Sequence, residues 1–219
     1  SVRVPAAWRE VSAVSPAASL NLRAPYAAAA PGGDTGAGVL VAGLGPRSAA
    51  DRSLLPPEFV RTLALARGTR PGGQEVTLGE FAAYRYRDLR RRGHAGRMTV
   101  FVSPTSAGVV TVACVTPSRG TAFAAACERV ATSLVVAGAT PYPLGPDHGF
   151  ARAVERAIRR LNARVATIRR RARSARSAEA LAPTLTRGHG AYMRAARALA
   201  ALDPGPADVG PNEALVKKL

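Results

Sequence analysis

The chain has 219 residues, of which 47% are hydrophobic, so it is long enough to bury a core and is not disordered throughout. Its formal net charge at pH 7 is +17, and Lys217 and Lys218 are the only lysines among its 31 basic residues. The sequence has no P-loop, no G-x-S-x-G and no H-E-x-x-H motif, so no common nucleotide-binding, serine-hydrolase or zinc-peptidase signature supports an activity. No apolar run reaches the ~20 residues that a membrane-spanning helix needs.

The first part of the chain predicts strands separated by a loop. Val2–Val11 predicts a strand in which Trp8 anchors the core, and Leu20–Leu22 begins a second extended run. Pro25–Gly38 consists mainly of alanine, proline and glycine and predicts a loop. The apolar run Val39–Leu44 then predicts a buried strand.

The middle of the chain predicts one helix and two strands. Ser53–Arg67 has the spacing of an amphipathic helix, with two prolines in its first turn. Val76–Leu78 and Phe81–Arg87 predict strands, the second of which places its two tyrosines on the face opposite Arg85 and Arg87.

A hairpin and a helix follow, and they decide the predicted fold class. Thr99–Val102 and Val109–Val115 predict two strands joined by a Pro-Thr-Ser-Ala-Gly turn, and Ala122–Val136 changes to a helical period. The inward stripe of this helix is Phe123, Cys127, Val130 and Leu134. Short connections between these elements predict an α+β fold, an antiparallel sheet flanked by helices, rather than a doubly wound parallel sheet.

The two cysteines lie on faces that are predicted to meet. Cys114 shares a strand face with Val110 and Val112, and Cys127 lies on the inward stripe of the next helix. We therefore expect a disulfide and an oxidising compartment, with two unpaired core thiols in a cytosolic protein as the alternative. Two cysteines without further ligands cannot complete a tetrahedral zinc site, and we predict neither a metal nor a cofactor.

A change of pattern near residue 140 predicts a domain boundary. Thr140–Pro146 has three prolines in seven residues, which end the preceding helix and form a stiff linker. The predicted organisation is a sandwich domain over residues 1–139, a linker over 140–146, and a helical hairpin with a short third helix over 147–219.

Heptad spacing in the C-terminal part predicts two helices of similar length. Asp147 is suited to cap the first, and the helices are predicted to break near Ser174–Ser177, with a break at Pro183 as the alternative. The seams pack on each other as an antiparallel hairpin or on a second chain as a homodimer. The first seam is Val154, Ile158, Leu161, Val165, Ile168, Ala172 and Ala175. The second seam is Ala178, Leu181, Leu185, Gly188, Tyr192, Ala195, Leu199 and Leu202.

The predicted third helix is short. After a loop over Asp203–Pro211, Asn212 is suited to cap a helix over Glu213–Leu219. Leu215 and Leu219 are then expected to face the hairpin.

Candidate catalytic groups are sparse. Gly43–Ser48 follows an apolar strand but lacks the third glycine and the crossover helix of a dinucleotide-binding loop. His94, His148 and His189 lie far apart in the sequence and share no spacing. A hydrolase that assembles one of them with a serine and an aspartate in space stays open as an alternative, and no residue is assigned a catalytic role.

Arginine clusters are the main candidate binding feature. Asp147–Arg176 contains ten arginines against two acidic residues, and a smaller cluster lies at Arg90–Arg92. The anion-binding candidates are Arg169, Arg170, Arg171, Arg173 and Arg176. The competing interpretation is a solvated helix face in a chain whose alanine and arginine content reflects a GC-rich coding sequence. Nucleic acid is disfavoured as the partner because the helix has no aromatic residue after Phe150 that could stack on bases.

Several stretches together resemble a known group of proteins. They are Trp8, LPPEF from Leu55, AYRYRDL from Ala83, VSPTSAGVVTVAC from Val102 and ACERVATSL from Ala126. These stretches resemble the extracytoplasmic domains of membrane-anchored actinobacterial proteins, whose α/β sandwich is similar to the PsbP-like fold. The resemblance covers about residues 2–136, and the helical part resembles the alanine- and arginine-rich tails that follow such domains. It implies export and partner binding without catalysis.

We therefore expect a non-enzymatic, extracytoplasmic interaction or sensor module of the cell envelope. Its expected partner is an unidentified protein or an anionic envelope component, and its expected location is at the cell membrane, anchored by a segment preceding Ser1. The alternatives are a basic nucleic-acid-binding protein that uses the arginine-rich helix, and a hydrolase without a recognisable motif.

Overall fold

The chain divides into two compact units. A computed structural model describes residues 2–12, 18–47, 52–66, 69, 71–117, 121–145 and 147–219. Unit 1 comprises Ser1–Gly145 with Gly205–Ala207, and unit 2 comprises Pro146–Pro204 with Asp208–Leu219. Over the described ranges, no helix combines the length and the apolar character needed to cross a bilayer.

Unit 1 is built on a seven-stranded antiparallel sheet. Its strand order is β1-β2-β3-β7-β6-β5-β4, and every neighbouring pair is antiparallel. The strands are β1 Trp8–Glu10, β2 Arg23–Pro31, β3 Val39–Leu44, β4 Gln74–Leu78, β5 Phe81–Arg90, β6 Arg97–Thr105 and β7 Gly108–Thr116. The predicted hairpin is the β6–β7 pair, in which Thr105 pairs with Gly108 at the turn.

Two helices of unit 1 belong to opposite sides of this sheet. Helix α2, Thr121–Ala131, packs against β7 and β6, where Cys127 lies in one buried cluster with Leu40, Val112 and Phe101. Helix α1, Pro57–Thr62, carries the fully buried Phe59 into a second cluster on the other face. Both faces of the central strands are thus covered, which confirms the predicted α+β class.

The disulfide between Cys114 and Cys127 is present and joins β7 to α2. The Cα atoms of the two cysteines are 5.9 Å apart, inside the usual range for a disulfide. Both residues are fully buried, as their places on the inward stripes predicted. The bond is compatible with an extracytoplasmic location.

The predicted loop over Pro25–Gly38 is wrong for its first half, because β2 runs from Arg23 to Pro31. Ala28, Ala29 and Ala30 are buried there, and β2 is hydrogen-bonded on both sides, to β1 and β3. Alanine has a low strand propensity, so it is the two neighbouring strands that hold this segment extended.

The helix predicted over Ser53–Arg67 is shorter than expected, and Arg67 lies outside the described residues. Helix α1 has six residues, and Leu63 leaves it with an extended backbone, φ −71° and ψ 143°. Leu63 forms an isolated bridge with Arg91, and it is buried although it is no longer helical. The apolar spacing therefore indicated the burial of Phe59 and Leu63 correctly and the length of the helix incorrectly.

The segment predicted as a linker is hydrogen-bonded to the sheet over its first residues. Ser106 N donates to Thr140 O at 2.9 Å, and Tyr142 N donates to Pro104 O at 2.9 Å. The hydroxyl of Tyr84 donates to Leu144 O at 3.1 Å. Pro146 lies outside the described residues, and the predicted domain bounds stay a prediction.

Unit 2 contains the two long helices of the predicted hairpin. Helix α3 is His148–Ser174 and helix α4 is Ala178–Ala200. Asp147 caps α3 by accepting a hydrogen bond from Phe150 N at 2.9 Å, as predicted. The break lies at Ala175–Ser177, where Ser177 caps α4, and Pro183 stays inside α4.

Three residues of the seam predicted for α3 pack on α4, whereas the seam predicted for α4 is wrong at three positions, Ala178, Leu185 and Tyr192, which are exposed. Leu161, Val165 and Ile168 pack with α4 through Ala191 and Ala195. Leu185 and Tyr192 are 58% and 37% exposed, and their neighbours Thr184 and Ala191 are buried instead. The closeness of the helices explains the change, since a Cβ added at Gly188 would lie 3.7 Å from Cγ2 of Ile168. The predicted homodimer through the seams stays a prediction.

The last helix begins earlier than predicted. Helix α5 is Pro206–Lys218, so Asn212 lies inside it and caps a different helix. Asn212 is buried, and its Nδ2 donates to Leu199 O at 3.1 Å, near the C-terminal end of α4. Leu219 packs against the hairpin cluster as predicted, and Leu215 is half-buried.

Candidate anion-binding surface

Helix α3 separates its apolar and basic residues onto different sides. Its 27 residues correspond to a length of about 40 Å. The inward side is the predicted seam, and every arginine of Asp147–Arg176 is exposed. The helix therefore presents a row of guanidinium groups along its outer side.

The five arginines predicted to bind anions lie together at one end of this row. We call Arg169, Arg170, Arg171, Arg173 and Arg176 the arginine cluster. The first four lie in the last six residues of α3, and Arg176 lies in the turn before α4. Cations at this C-terminal end stabilise the helix, because the unpaired carbonyl groups of its last turn carry partial negative charge.

The arginine cluster has no acidic partner within the described part of the chain. Its one side-chain hydrogen bond in that part runs from Arg170 Nη2 to Thr167 Oγ1, at 3.2 Å. Elsewhere on α3, Arg159 Nη1 lies 3.5 Å from Glu155 Oε1, and both side chains are more than half exposed. The guanidinium groups of the cluster are thus available to an external anion.

The arginines of the sheet are used differently. Glu128 of α2 accepts from Arg87 Nη2 at 2.8 Å and from Arg85 Nη1 at 3.3 Å, so two strand residues hold the helix. Arg97 Nη1 lies 2.9 Å from Asp88 Oδ1. These pairs stabilise unit 1. Its arginines Arg85, Arg87 and Arg97 each lie beside a carboxylate, unlike the arginines of the arginine cluster.

Sequence reasoning missed Glu128. The available signal was that Arg85 and Arg87 lie on the strand face opposite the tyrosines, which is the face that α2 covers. An acidic residue on the neighbouring helix is expected opposite such a pair, because a partly buried arginine needs a counter-charge. Arg85 is only 17% exposed, so its charge depends on this contact more than that of Arg87 does.

The candidates for catalysis are not brought together. His94, His148 and His189 are all exposed, and across the described residues none of their side chains makes a hydrogen bond or an ion pair. Gly43 belongs to β3, which lies between two antiparallel neighbours and not in a strand-helix-strand unit, and Ser48 lies outside the described residues. The described part of the chain also holds no group of three or more potential metal ligands.

An exposed arginine row favours binding over chemistry. A guanidinium group offers planar paired donors to phosphate or carboxylate oxygens and stays charged at any physiological pH. Several such groups in a row create a local positive potential that attracts polyanions in a salt-dependent way. Nothing in this arrangement supplies a nucleophile or a general base.

Comparison of the chain with models of protein families, with curated proteins and with solved structures finds no match. The PsbP-like and actinobacterial resemblance therefore stays an expectation.

Proposed function

We propose that the protein is a non-enzymatic, extracytoplasmic binding module of the cell envelope that engages an anionic envelope component through the arginine cluster. The observation that carries the proposal is that the five arginines of the cluster are exposed and have no acidic partner among the described residues. The disulfide supports an oxidising location. A PsbP-like ancestry of unit 1 is part of the proposal, since a sheet covered by helices on both faces suits such a domain.

The proposed ligand is the surface of a membrane that contains anionic lipids. A polybasic segment near such a surface gains about 1 kcal/mol per lysine or arginine. The cluster contributes five charges within eight residues, enough for a strong interaction at low ionic strength. The attraction must weaken as salt screens the charges.

The first experiment measures binding of the full chain to vesicles of phosphatidylcholine mixed with phosphatidylglycerol. Replacing Arg169, Arg170 and Arg173 together by glutamine should weaken binding at low salt by about 100-fold, at about 1 kcal/mol per charge. The wild-type affinity should also fall steeply between about 50 mM and 200 mM salt, because counterions compete for the charges.

The matched control removes the same charge from unit 1. Arg90, Arg92 and Arg129 are exposed and without an acidic partner in the described part of the chain, and their replacement by glutamine also lowers the formal charge by three, from +17 to +14. This control should change binding by less than about threefold, because the proposal assigns the lipid contact to the arginine cluster. Equal weakening by both variants would show that net charge alone drives binding.

Two further outcomes decide against the membrane. If the wild-type protein does not bind these vesicles at low salt, the proposed binding to an anionic membrane is refuted. The nucleic-acid alternative would be favoured if the protein bound duplex DNA more tightly than vesicles at the same salt concentration. The dependence of log affinity on log salt concentration should then correspond to several phosphate contacts.

A further inference from the structure

Unit 1 contains a cavity of about 460 Å³, and its lining includes no residue of the arginine cluster. Ala27, Ala42 and Val110 line it from three strands of the sheet, and Leu134 and Val136 line it from the segment that follows α2. Its volume lies within the range of about 300–1,000 Å³ found for pockets that hold small organic ligands. The lining is mainly apolar, as such pockets are.

The space arises from small side chains and from an irregular strand. Arg23 pairs with Leu44 and Ala27 with Ala42, so β2 has two more residues than β3 between these pairs. The extra residues bring Tyr26 over Gly43, where an added Cβ would lie 3.0 Å from Cβ of Tyr26. Ala27 remains exposed within the strand because nothing larger fills the space beside it.

Among the described residues that line the cavity, Glu10 is the only charged one. Glu10 lies two residues after the buried Trp8 on β1, so both side chains belong to the same face of the sheet. Glu10 is exposed and makes no ion pair within the described part of the chain. The mainly apolar lining of the cavity therefore carries a single formal negative charge, that of Glu10.

We propose that this cavity binds a small amphipathic molecule with an aliphatic body and one cationic group, of the alkylammonium class. The aliphatic body lies between the sheet alanines and Leu134, and the cation lies at Glu10. Because the formal charge of +17 repels cations in general, a saturable affinity for such a molecule must come from this local arrangement.

The probes are octylammonium, octanol and octanoate, each titrated into the full chain labelled with ¹⁵N. The amide signals of Ala27, Gly43 and Val110 should shift saturably with octylammonium, and octanol should bind about fivefold more weakly because it lacks the pairing with Glu10. Lengthening the alkylammonium chain should increase the affinity by up to about fourfold per methylene until the cavity is full.

Two substitutions separate the charge from the cavity. Glu10→Gln should weaken octylammonium binding about fivefold and leave octanol binding unchanged. The matched control Glu75→Gln, an exposed acid on the edge strand β4, should change neither. Ala27→Leu should weaken the binding of both compounds by occupying part of the space. The control Ala82→Leu, at an exposed alanine of β5 outside the cavity lining, should retain both.

Several results would overturn the assignment. The first is that Ala27→Leu binds octylammonium and octanol as tightly as the wild type does. The second is that the amide signals that shift belong to residues away from the cavity. The third is that no amide signal shifts saturably with any of the three probes. Tighter binding of octanoate than of octylammonium would show that the arginines, not Glu10, select the charge. None of these results depends on the vesicle experiment, so the proposal about the cavity and the proposal about the arginine cluster are tested separately.

Discussion

Gly38 lies immediately before β3, at a point where helix α2 comes close to the sheet. Its φ is +133°, a value essentially restricted to glycine, and an added Cβ would lie 2.4 Å from Cδ1 of Phe123. The ring of Phe123 stacks on Trp8 with the ring centroids 5.2 Å apart. The absence of a side chain at Gly38 therefore lets an aromatic pair from α2 and β1 close over the start of β3.

Gly38→Ala should lower the free energy of unfolding by about 3 kcal/mol, from backbone strain and from displacement of the Phe123 ring. Gly32→Ala is the matched control, since Gly32 also has a positive φ, +57°, but an added Cβ there meets nothing within 4 Å. The control should cost about 1 kcal/mol. Urea unfolding followed by Trp8 fluorescence measures both, and equal losses would contradict the proposed role of Phe123.

Single residues were predictable from the sequence where their role depends on one element and its nearest neighbour. The Cys114–Cys127 bond follows from two inward stripes on consecutive elements. The contacts of Glu128 with Arg85 and Arg87 depend on how α2 is placed across a strand 41 residues earlier in the chain. Asn212 likewise serves the end of α4 and not its own helix, and no local pattern specifies that.

At the scale of elements, small residues account for two of the differences between prediction and structure. An alanine run has no strand signal of its own, so β2 was predicted as a loop although its neighbours hold it in the sheet. On α4 the heptad rule selected Leu185 and Tyr192 beside Gly188, whereas close packing at Gly188 buries Thr184 and Ala191 instead of those two larger residues. Periodicity located α3 and α4 correctly but did not identify which residues of α4 face α3.

The α3–α4 contact makes a specific prediction about Leu161, which is 6% exposed in the hairpin cluster. Leu161→Asp removes the largest buried side chain of this cluster and places an unpaired carboxylate there, so it should reduce helicity and destabilise unit 2 by about 4 kcal/mol. Asn162→Asp introduces the same carboxylate at the next position, which is exposed, and should change stability by less than about 0.5 kcal/mol. Thermal unfolding by circular dichroism measures both, and an unchanged melting curve for Leu161→Asp would refute the buried seam.

At the scale of the whole molecule, the apolar clusters of the described residues follow the division into units. Three clusters around the sheet draw on unit 1, and the cluster around Leu161 draws on unit 2. The disulfide lies entirely within unit 1. Each unit therefore has its own source of stability, and a change confined to one core should act mainly on that unit.

Two spectroscopic signals report on the units separately. Trp8, the single tryptophan, lies in the core of unit 1. Helical circular dichroism comes mainly from unit 2, since α3 and α4 have 27 and 23 residues against 6 and 11 in α1 and α2. Unfolding of the two units can thus be followed in one sample.

Reduction of the disulfide should destabilise unit 1 alone. The bond closes a loop with a sequence separation of 13 residues, and constraining the unfolded chain over such a loop contributes about 3 kcal/mol. Dithiothreitol should lower the urea midpoint seen by Trp8 fluorescence and leave the midpoint of the helical signal in place. The double variant Cys114→Ala and Cys127→Ala should show the lower midpoint without reductant and no response to it. If both signals instead shift together on reduction, the two units unfold as one cooperative body, and the stability of the arginine-bearing hairpin depends on the sheet.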